Sequence, residues 1–378
     1  SKALARILDQ GILVLMREGD KVELKRMETT GTFSEVTYLF SCSSKFDKIL
    51  YYKHILSCLD KIIPKDEGMR VAYIRCVVYD KGLLALLNSL KSCTYKVVIE
   101  IPTTAFLKEY INHLSTGWYK LVSFGVLGES ILSRADRIVT IGSFPKVLKK
   151  FENKIIEINN GINVDEVPMP KSDVNERLLR SGNRPLQLVS VANTTYWHGY
   201  DRIITGLHNY YKNSPTKPVY YHCVGNGSDI DKLRKLSSNL SLDNYVIFHG
   251  AKVGTELNRI LERSDIAFGS LGFHRSKLKE GSPLKTREYC ARGIPFVIAY
   301  DDPDFPELFP YVLKIPSDES PVDIDKVCKW YEELTVDYTT YPIEMRKYAE
   351  EHLTWDAKLR PVIEKITEII RQEGKNDR

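Results

Sequence analysis

No C-x-x-C pair occurs among the seven cysteines of this 378-residue chain, which stand at positions 42, 58, 76, 93, 223, 290 and 328. Their number is odd, and several lie in apolar runs such as Tyr73-Ile74-Arg75-Cys76-Val77-Val78. That argues against a disulfide framework and predicts buried free thiols in a reducing compartment. Also missing is any apolar run near the roughly 20 residues that span a bilayer, and no signal-peptide pattern opens the sequence. A soluble or peripheral, cytoplasmic protein is expected. Neither H-x-x-x-H nor H-E-x-x-H occurs, and the nearest approach to an acidic metal motif, Asp301-Asp302-Pro303-Asp304, follows a strand and carries a Pro that favours a turn. No metal is expected, and no Ser-His-Asp grouping of a hydrolase is evident. Charge of one sign is lacking too. The net +5 from 54 basic and 49 acidic residues is too weak for a nucleic-acid partner.

What the chain does have is alternation. With 43% hydrophobic and 27% charged residues it can fill full cores, and its length suits two domains. Short apolar runs alternate with helical patterns, the mark of an α/β protein with parallel sheets. Strands are expected at Lys21–Met27, Glu35–Phe40, Val71–Val78, Lys96–Ile101, Arg137–Ile141 and Lys154–Ile158, with helices at Phe46–Ile63, Gly82–Ser92 and Ser143–Phe151. The opening Ser1–Gly19 reads as one amphipathic helix, so that the strand which normally precedes such a helix in a Rossmann-like half is expected to be absent. Residues 1–167 form the first domain and 168–185, with Pro168, Pro170, Gly182 and Pro185, a linker. A second strand–helix series fills 186–354, and 355–378 is a final helix returning toward the first domain.

The richest segment is Glu280-Gly281-Ser282-Pro283-Leu284-Lys285-Thr286-Arg287-Glu288, after the strand Ile266–Ser270. The carboxyl end of a parallel sheet is where open α/β folds bind ligands. A Gly-Ser-Pro turn there opens a helix, so the backbone around Gly281, Ser282 and Leu284 and the positive helix end make an anion site. Glu288, one helical turn on, can accept hydrogen bonds from both hydroxyls of a ribose; alternatively it pairs with Arg287 or Arg292. Glu280 can reach a sugar, or is a surface residue.

Glu-x7-Glu followed by a small residue, Gly and Pro resembles the donor signature of retaining family-four (group 1) glycosyltransferases. Further matches follow in that family's order. Ala135-Asp136-Arg137-Ile138-Val139-Thr140 resembles the strand closing the first domain, and Ile158-Asn159-Asn160-Gly161-Ile162-Asn163 with Pro168 the crossing between domains. Ser264-Asp265-Ile266 resembles the strand before the donor loop, and Trp355 leads a helix like the family's last. The resemblance implies a GT-B fold, two facing Rossmann-like domains with a cleft between them, and metal-independent transfer of a sugar from a nucleotide diphosphate of UDP or GDP type. That donor is a substrate; no cofactor is implied. A glycan or lipid-linked glycan would accept the sugar with retention, after domain closure has excluded water.

The chain departs from the family after the strand Leu186–Val191. There most members carry an Arg and a Lys that neutralise the leaving diphosphate; here Asn193 takes the Arg position and His198 the Lys position, in Tyr196-Trp197-His198-Gly199. Similar Trp-His-Gly stretches, and the run Glu100-Ile101-Pro102-Thr103, resemble capsule and surface-polysaccharide members. Lys285 is then expected to carry the positive charge, aided by His198 when protonated; otherwise His198 is a neutral helix-start residue on Trp197. Glu100 or Thr103 would face the sugar or the acceptor, with Arg75 pairing with Glu100 or an acceptor phosphate. Gly225-Asn226-Gly227 would let backbone approach the nucleotide. The aromatic and Lys-bearing stretch Phe106–Leu132 is either a buried helix or a peripheral membrane contact. Rival readings are a nucleotide-sugar-binding partner in polysaccharide assembly that does not turn over, and an epimerase or phosphorylase of the same fold.

Overall fold

The computed structural model describes residues 1–44, 47, 50–63, 70–76, 78–102, 114–170, 184–215 and 217–376. The chain forms two compact units, Ser1–Asn159 with Trp355–Arg378, and Asn160–Thr354.

The first unit opens differently from expectation. The Lys2–Leu8 helix stops at Asp9, whose left-handed φ of 48° no longer fits helical bonding. The unbroken run Ile12-Leu13-Val14-Leu15-Met16 then forms strand β1 (Ile12–Glu18). It pairs antiparallel with β2 (Lys21–Met27), which pairs with β3 (Phe33–Ser41). Helical and strand spacing coincide over such a short apolar run, so periodicity alone could not separate them. Strands β4 (Arg70–Arg75), β5 (Tyr95–Ile101), β6 (Arg137–Ile141) and β7 (Ile155–Ile158) form an all-parallel sheet in that order.

Helices cover both faces of this sheet, which is why β5 is apolar on both sides: Val97 and Ile99 face one cluster and Val98 the other. The Lys81–Ser92 helix packs Leu83, Leu86, Leu87 and Leu90 on the first face, and Asp80 caps it by accepting the Leu83 N–H at 2.7 Å. On the second face Ala3 of the opening helix meets Leu359, Val362 and Ile366 of the C-terminal helix Trp355–Asn376. Ser143–Phe151, expected to be α-helical, holds instead a 3₁₀ segment at Lys146–Lys154.

The second unit is one parallel sheet of six strands. These are β8 (Leu186–Val191), β9 (Val219–Val224), β10 (Val246–Gly250), β11 (Ile266–Phe268), β12 (Phe296–Ile298) and β13 (Val312–Lys314). Their spatial order is β10-β9-β8-β11-β12-β13, so the chain reverses direction across the sheet between β8 and β11. Residues Asn160–Val167, expected to close the first domain, belong to this unit. Ile162 donates its N–H to Leu353, and buried Arg346 donates to the carbonyls of Val164 (3.0 Å) and Val167 (2.9 Å). The expected linker lies mostly in 171–183, outside the described residues.

The two aspartates of the strand motifs do the same work in both units. Asp136, just before β6, donates its N–H to Val97 and accepts Val97's N–H at 2.7 Å, with Lys91 on the same carboxylate. Asp265, just before β11, exchanges the same pair with Gln187, its carboxylate accepting at 2.8 Å, with Arg184 as the cation. Each clamps the mouth of a parallel strand pair where the regular ladder has not yet begun.

Candidate active site

The reversal between β8 and β11 is the point at which open α/β sheets bind ligands, and the loops leaving the carboxyl ends of those strands build the candidate site. The loop after β8 is laced to the loop after β9: Thr194 donates to the Asn226 carbonyl at 2.5 Å and accepts from Asp229 at 3.2 Å. Gly225 (φ 124°) and Gly227 (φ 140°) press against this loop. A Cβ on Gly225 would lie 1.8 Å from the Ala192 carbonyl oxygen, and one on Gly227 2.1 Å from that of Thr194. These glycines thus admit backbone, and the expectation that they clear space for a ligand gives way to loop-on-loop packing. The loop after β11 is fastened likewise. Leu271 donates to the His198 carbonyl at 2.8 Å, and a Cβ on Gly199 would lie 2.7 Å from the Gly272 nitrogen, leaving that position no room for a side chain.

The Leu284–Ala291 helix points its amino end into this region. Ser282 is held from behind by Asn160, whose backbone N–H donates to Oγ (3.2 Å) and whose amide donates to the Ser282 carbonyl (2.8 Å). Pro283 occupies the N-cap with no side-chain cap bond. The first-turn N–H groups of Leu284 and Lys285 have no carbonyl to meet within the helix, which leaves them for an anion. Leu284 is exposed beside them.

Lys285 reaches across to Tyr200. Its ammonium donates to the Tyr200 hydroxyl at 3.1 Å and lies 5.5 Å from that ring's centroid. Burial, with no carboxylate close enough to offset it, lowers Lys285 to about 7. Neighbouring His198 accepts the Thr195 N–H on Nδ1 at 3.1 Å, which puts the ring proton on Nε2. Burial first, and Lys285 second, lower His198 to about 3. In the ligand-free protein His198 is therefore a neutral Nε2–H donor at physiological pH, the second of the two alternatives for it. Asn193, at the end of β8, is an exposed amide.

Glu288 sits one turn into the helix with a third of its side chain exposed, and Arg292 grips its Oε1 at 2.7 Å. Arg292 also donates to Asn258 at 2.8 Å, so the carboxylate is oriented rather than loose. The pairing alternative for Glu288 thus holds in the ligand-free protein, with Arg292 as its partner. Arg287 is fully buried and fork-paired with Asp302 (2.7 Å) and Asp304, which fixes the Asp-Asp-Pro-Asp turn under the helix. Glu280 is exposed. Its backbone bridges to Asp301, and Gly281 donates to the Asp301 carbonyl at 3.0 Å.

Among the residues that hold these groups, sequence reasoning pointed to Arg292 as a partner of Glu288 but missed Tyr200, Arg202, Arg275 and the part played by Asn160. Arg202, buried, donates to the carbonyls of Leu271 (2.5 Å), Pro316 (3.0 Å) and Ser320 (2.7 Å). Arg275 clamps Asp201 (2.7 Å) and the Tyr196 carbonyl (2.8 Å). An arginine in the first turn of an apolar-faced helix was the available signal for Arg202, since a guanidinium there must find carbonyls.

In the first unit Glu100, near the end of β5, accepts the Tyr73 hydroxyl at 2.7 Å, and its other oxygen lies 3.3 Å from Nε of exposed Arg75. Thr103 lies outside the described residues. Among the described residues no group of three or more His, Cys, Asp or Glu converges as a metal site, and no helix is long and apolar enough to cross a membrane.

Residues 174–310 match the sequence family described as glycosyl transferases group 1. No curated protein matches the chain by sequence. Among solved structures it is similar to Anabaena HepE in complex with UDP (TM-score 0.59, 13% identity, covering 87% of this chain and 85% of that one). It is also similar to a glycosyltransferase from Rickettsia africae (0.55, 14%, 88% and 83%). Sucrose-phosphate synthase from Thermosynechococcus elongatus is a further neighbour (0.55, 12%, 94% and 87%). The fold is the two-domain, Rossmann-like GT-B fold, and with the match over the second unit it supports a group 1 glycosyltransferase.

Proposed function

We propose that this protein moves a hexose from a nucleotide-diphosphate donor to a hydroxyl of a glycan or lipid-linked glycan, with retention and without a metal. The observation that carries the reading is Lys285, a half-buried amine with no carboxylate partner among the described residues, at the amino end of a helix that presents Glu288 one turn later. Lys285, the free N–H groups of that turn and the His198 Nε2–H would receive the diphosphate. Glu288, swung by Arg292, would take the ribose hydroxyls, and Glu280 the sugar. The bond from the anomeric carbon to the phosphate oxygen breaks as the acceptor oxygen bonds to that carbon, and the acceptor's proton leaves on the departing diphosphate. Glu100 and Arg75 would serve the acceptor.

HepE is bound to UDP and to UDP-glucose in its structures, which makes a UDP-sugar the first donor to try. The stripe Trp118, Val122 and Val126 on the Leu114–Arg134 helix, each more than half exposed, supports contact with the cytoplasmic face of a membrane.

The test is a thermal-shift and calorimetric screen of UDP, GDP, UDP-glucose and GDP-mannose against the chain and its Glu288→Ala variant. Micromolar binding of one nucleotide, weakened at least about tenfold by Glu288→Ala (the loss of a charged hydrogen-bond partner), is expected. A folded chain that binds none of them would sink the donor site. Asn193 in place of an arginine favours a second reading, a binding partner that does not turn over. Sugar transfer to an added glycan acceptor would exclude it.

A further inference from the structure

Among the described residues Lys285 has no carboxylate beside it to hold its proton. Lys285 is faced by the Tyr200 hydroxyl from the Asp201–Lys212 helix cap, by His198 from the 3₁₀ turn Tyr196–His198, and by Cys223 from β9. All are neutral at physiological pH. Burial raises the Tyr200 phenol well above its ordinary range and the Cys223 thiol above its own, and it lowers His198. On the lysine's own helix the charges are already spent: Glu288 pairs with Arg292, and Arg287 with Asp302 and Asp304. An ammonium in a partly desolvated pocket without a counter-ion readily gives up its proton, and it recovers that proton when an anion arrives.

We propose that this pocket captures its diphosphate-bearing ligand together with a proton, which Lys285 receives. The inference rests on the donor-site reading above and adds to it that the ligand's negative charge restores the ammonium form of Lys285. Tyr200 is the positioning residue, since its hydroxyl fixes the Lys285 rotamer in both protonation states by accepting from the ammonium or donating to the free amine. With Lys285 at about 7 in the free protein, roughly a quarter of the molecules carry the proton at pH 7.5, so binding takes up about three-quarters of a proton. The sign follows. Affinity is complete below pH 7 and falls as the pH rises through 7, by up to about tenfold per pH unit, until the pKa of the bound lysine is reached.

Calorimetric titration of the whole chain with UDP-glucose and GDP-mannose at pH 7.5, in buffers of different ionisation enthalpy, reads the proton count directly. These probes are chosen because their diphosphates are diesters that do not titrate near neutrality. An uptake above about half a proton, persisting in His198→Gln and vanishing in Lys285→Arg with binding retained, is the expected result. Lys285→Met covers the case in which arginine does not fit, and should lose both the uptake and most of the affinity. Binding with no proton uptake, or uptake that survives in Lys285→Met, overturns the proposal while leaving the donor site standing. If neither probe binds, the donor site falls and this inference with it. Tyr200→Phe should shift the pH midpoint of binding; an unchanged midpoint would remove Tyr200 from the account.

Discussion

The carboxyl ends of the two parallel sheets differ in how they treat charge. In the first unit Glu100 accepts the Tyr73 hydroxyl and lies within 3.3 Å of the exposed Arg75 guanidinium, so among the described residues this carboxylate has a hydrogen-bond donor and a cation beside it. In the second unit Lys285 is answered by a neutral phenol and its neighbour His198 is held neutral, so that end stays open. An internally paired group needs a ligand that offers replacement hydrogen bonds, whereas an unpaired cation needs only a ligand that brings negative charge. Under the proposed function, the first unit would serve the acceptor through hydroxyls and the second the donor through its phosphates. The difference arises on closely matched scaffolds, for the Asp136 and Asp265 clamps differ little except in burial.

The largest effect is expected where the open end depends on bare backbone. Gly225→Ala places a methyl 1.8 Å from the Ala192 carbonyl oxygen at a φ of 124° that side chains rarely adopt. A loss of about 3 kcal/mol or more in urea unfolding, with nucleotide binding abolished, is expected. A Gly225→Ala protein of ordinary stability that still binds would show the two loops to be less tightly laced than their geometry implies.

Next come the clamps. Asp265 is 1% exposed, and truncating it leaves the Gln187 N–H without its buried acceptor and Arg184 without its carboxylate, so Asp265→Ala should cost about 3 kcal/mol. Asp136 keeps a fifth of its side chain in solvent, which can rehydrate Lys91, and Asp136→Ala should cost about 1–2 kcal/mol. Equal losses in chemical unfolding would mean that burial does not set the difference between the two units.

The sequence made the second unit more legible than the first, for identifiable reasons. Leu186–Val191 and Val219–Val224 are short apolar runs bounded by Pro or Gly, and the strands fall on those residues. The helix opening after Gly281-Ser282-Pro283 was equally readable, since a proline is best tolerated at a helix start, where its missing N–H costs nothing. At the chain's opening, Ile12–Met16 satisfied helical and strand patterns alike, and only pairing with Lys21–Met27 settled the matter. Side-chain partners were the least legible. Nothing local says that Lys285 will meet Tyr200, 85 residues away, or that Thr195 will hold His198 in its neutral form. Asn160 looked like part of a crossing motif, yet its amide spends its bonds on Ser282.

The smallest effect tests whether the open end is tuned or merely depleted. Asn193 stands exposed at the end of β8, where an arginine would bring a permanent second cation toward the same ligand. Because an exposed charge is screened, Asn193→Arg should tighten UDP-glucose only about three- to tenfold at pH 7. Its pH behaviour is more telling than its size. Arginine keeps its charge, so the advantage should persist at pH 9, where a largely deprotonated Lys285 contributes least. An advantage confined to pH 7 or below would mean that the new cation acts through Lys285 rather than on the ligand. No change at any pH would place residue 193 away from the phosphates, leaving the Leu284–Ala291 helix and its lysine as the site's whole answer to a diphosphate.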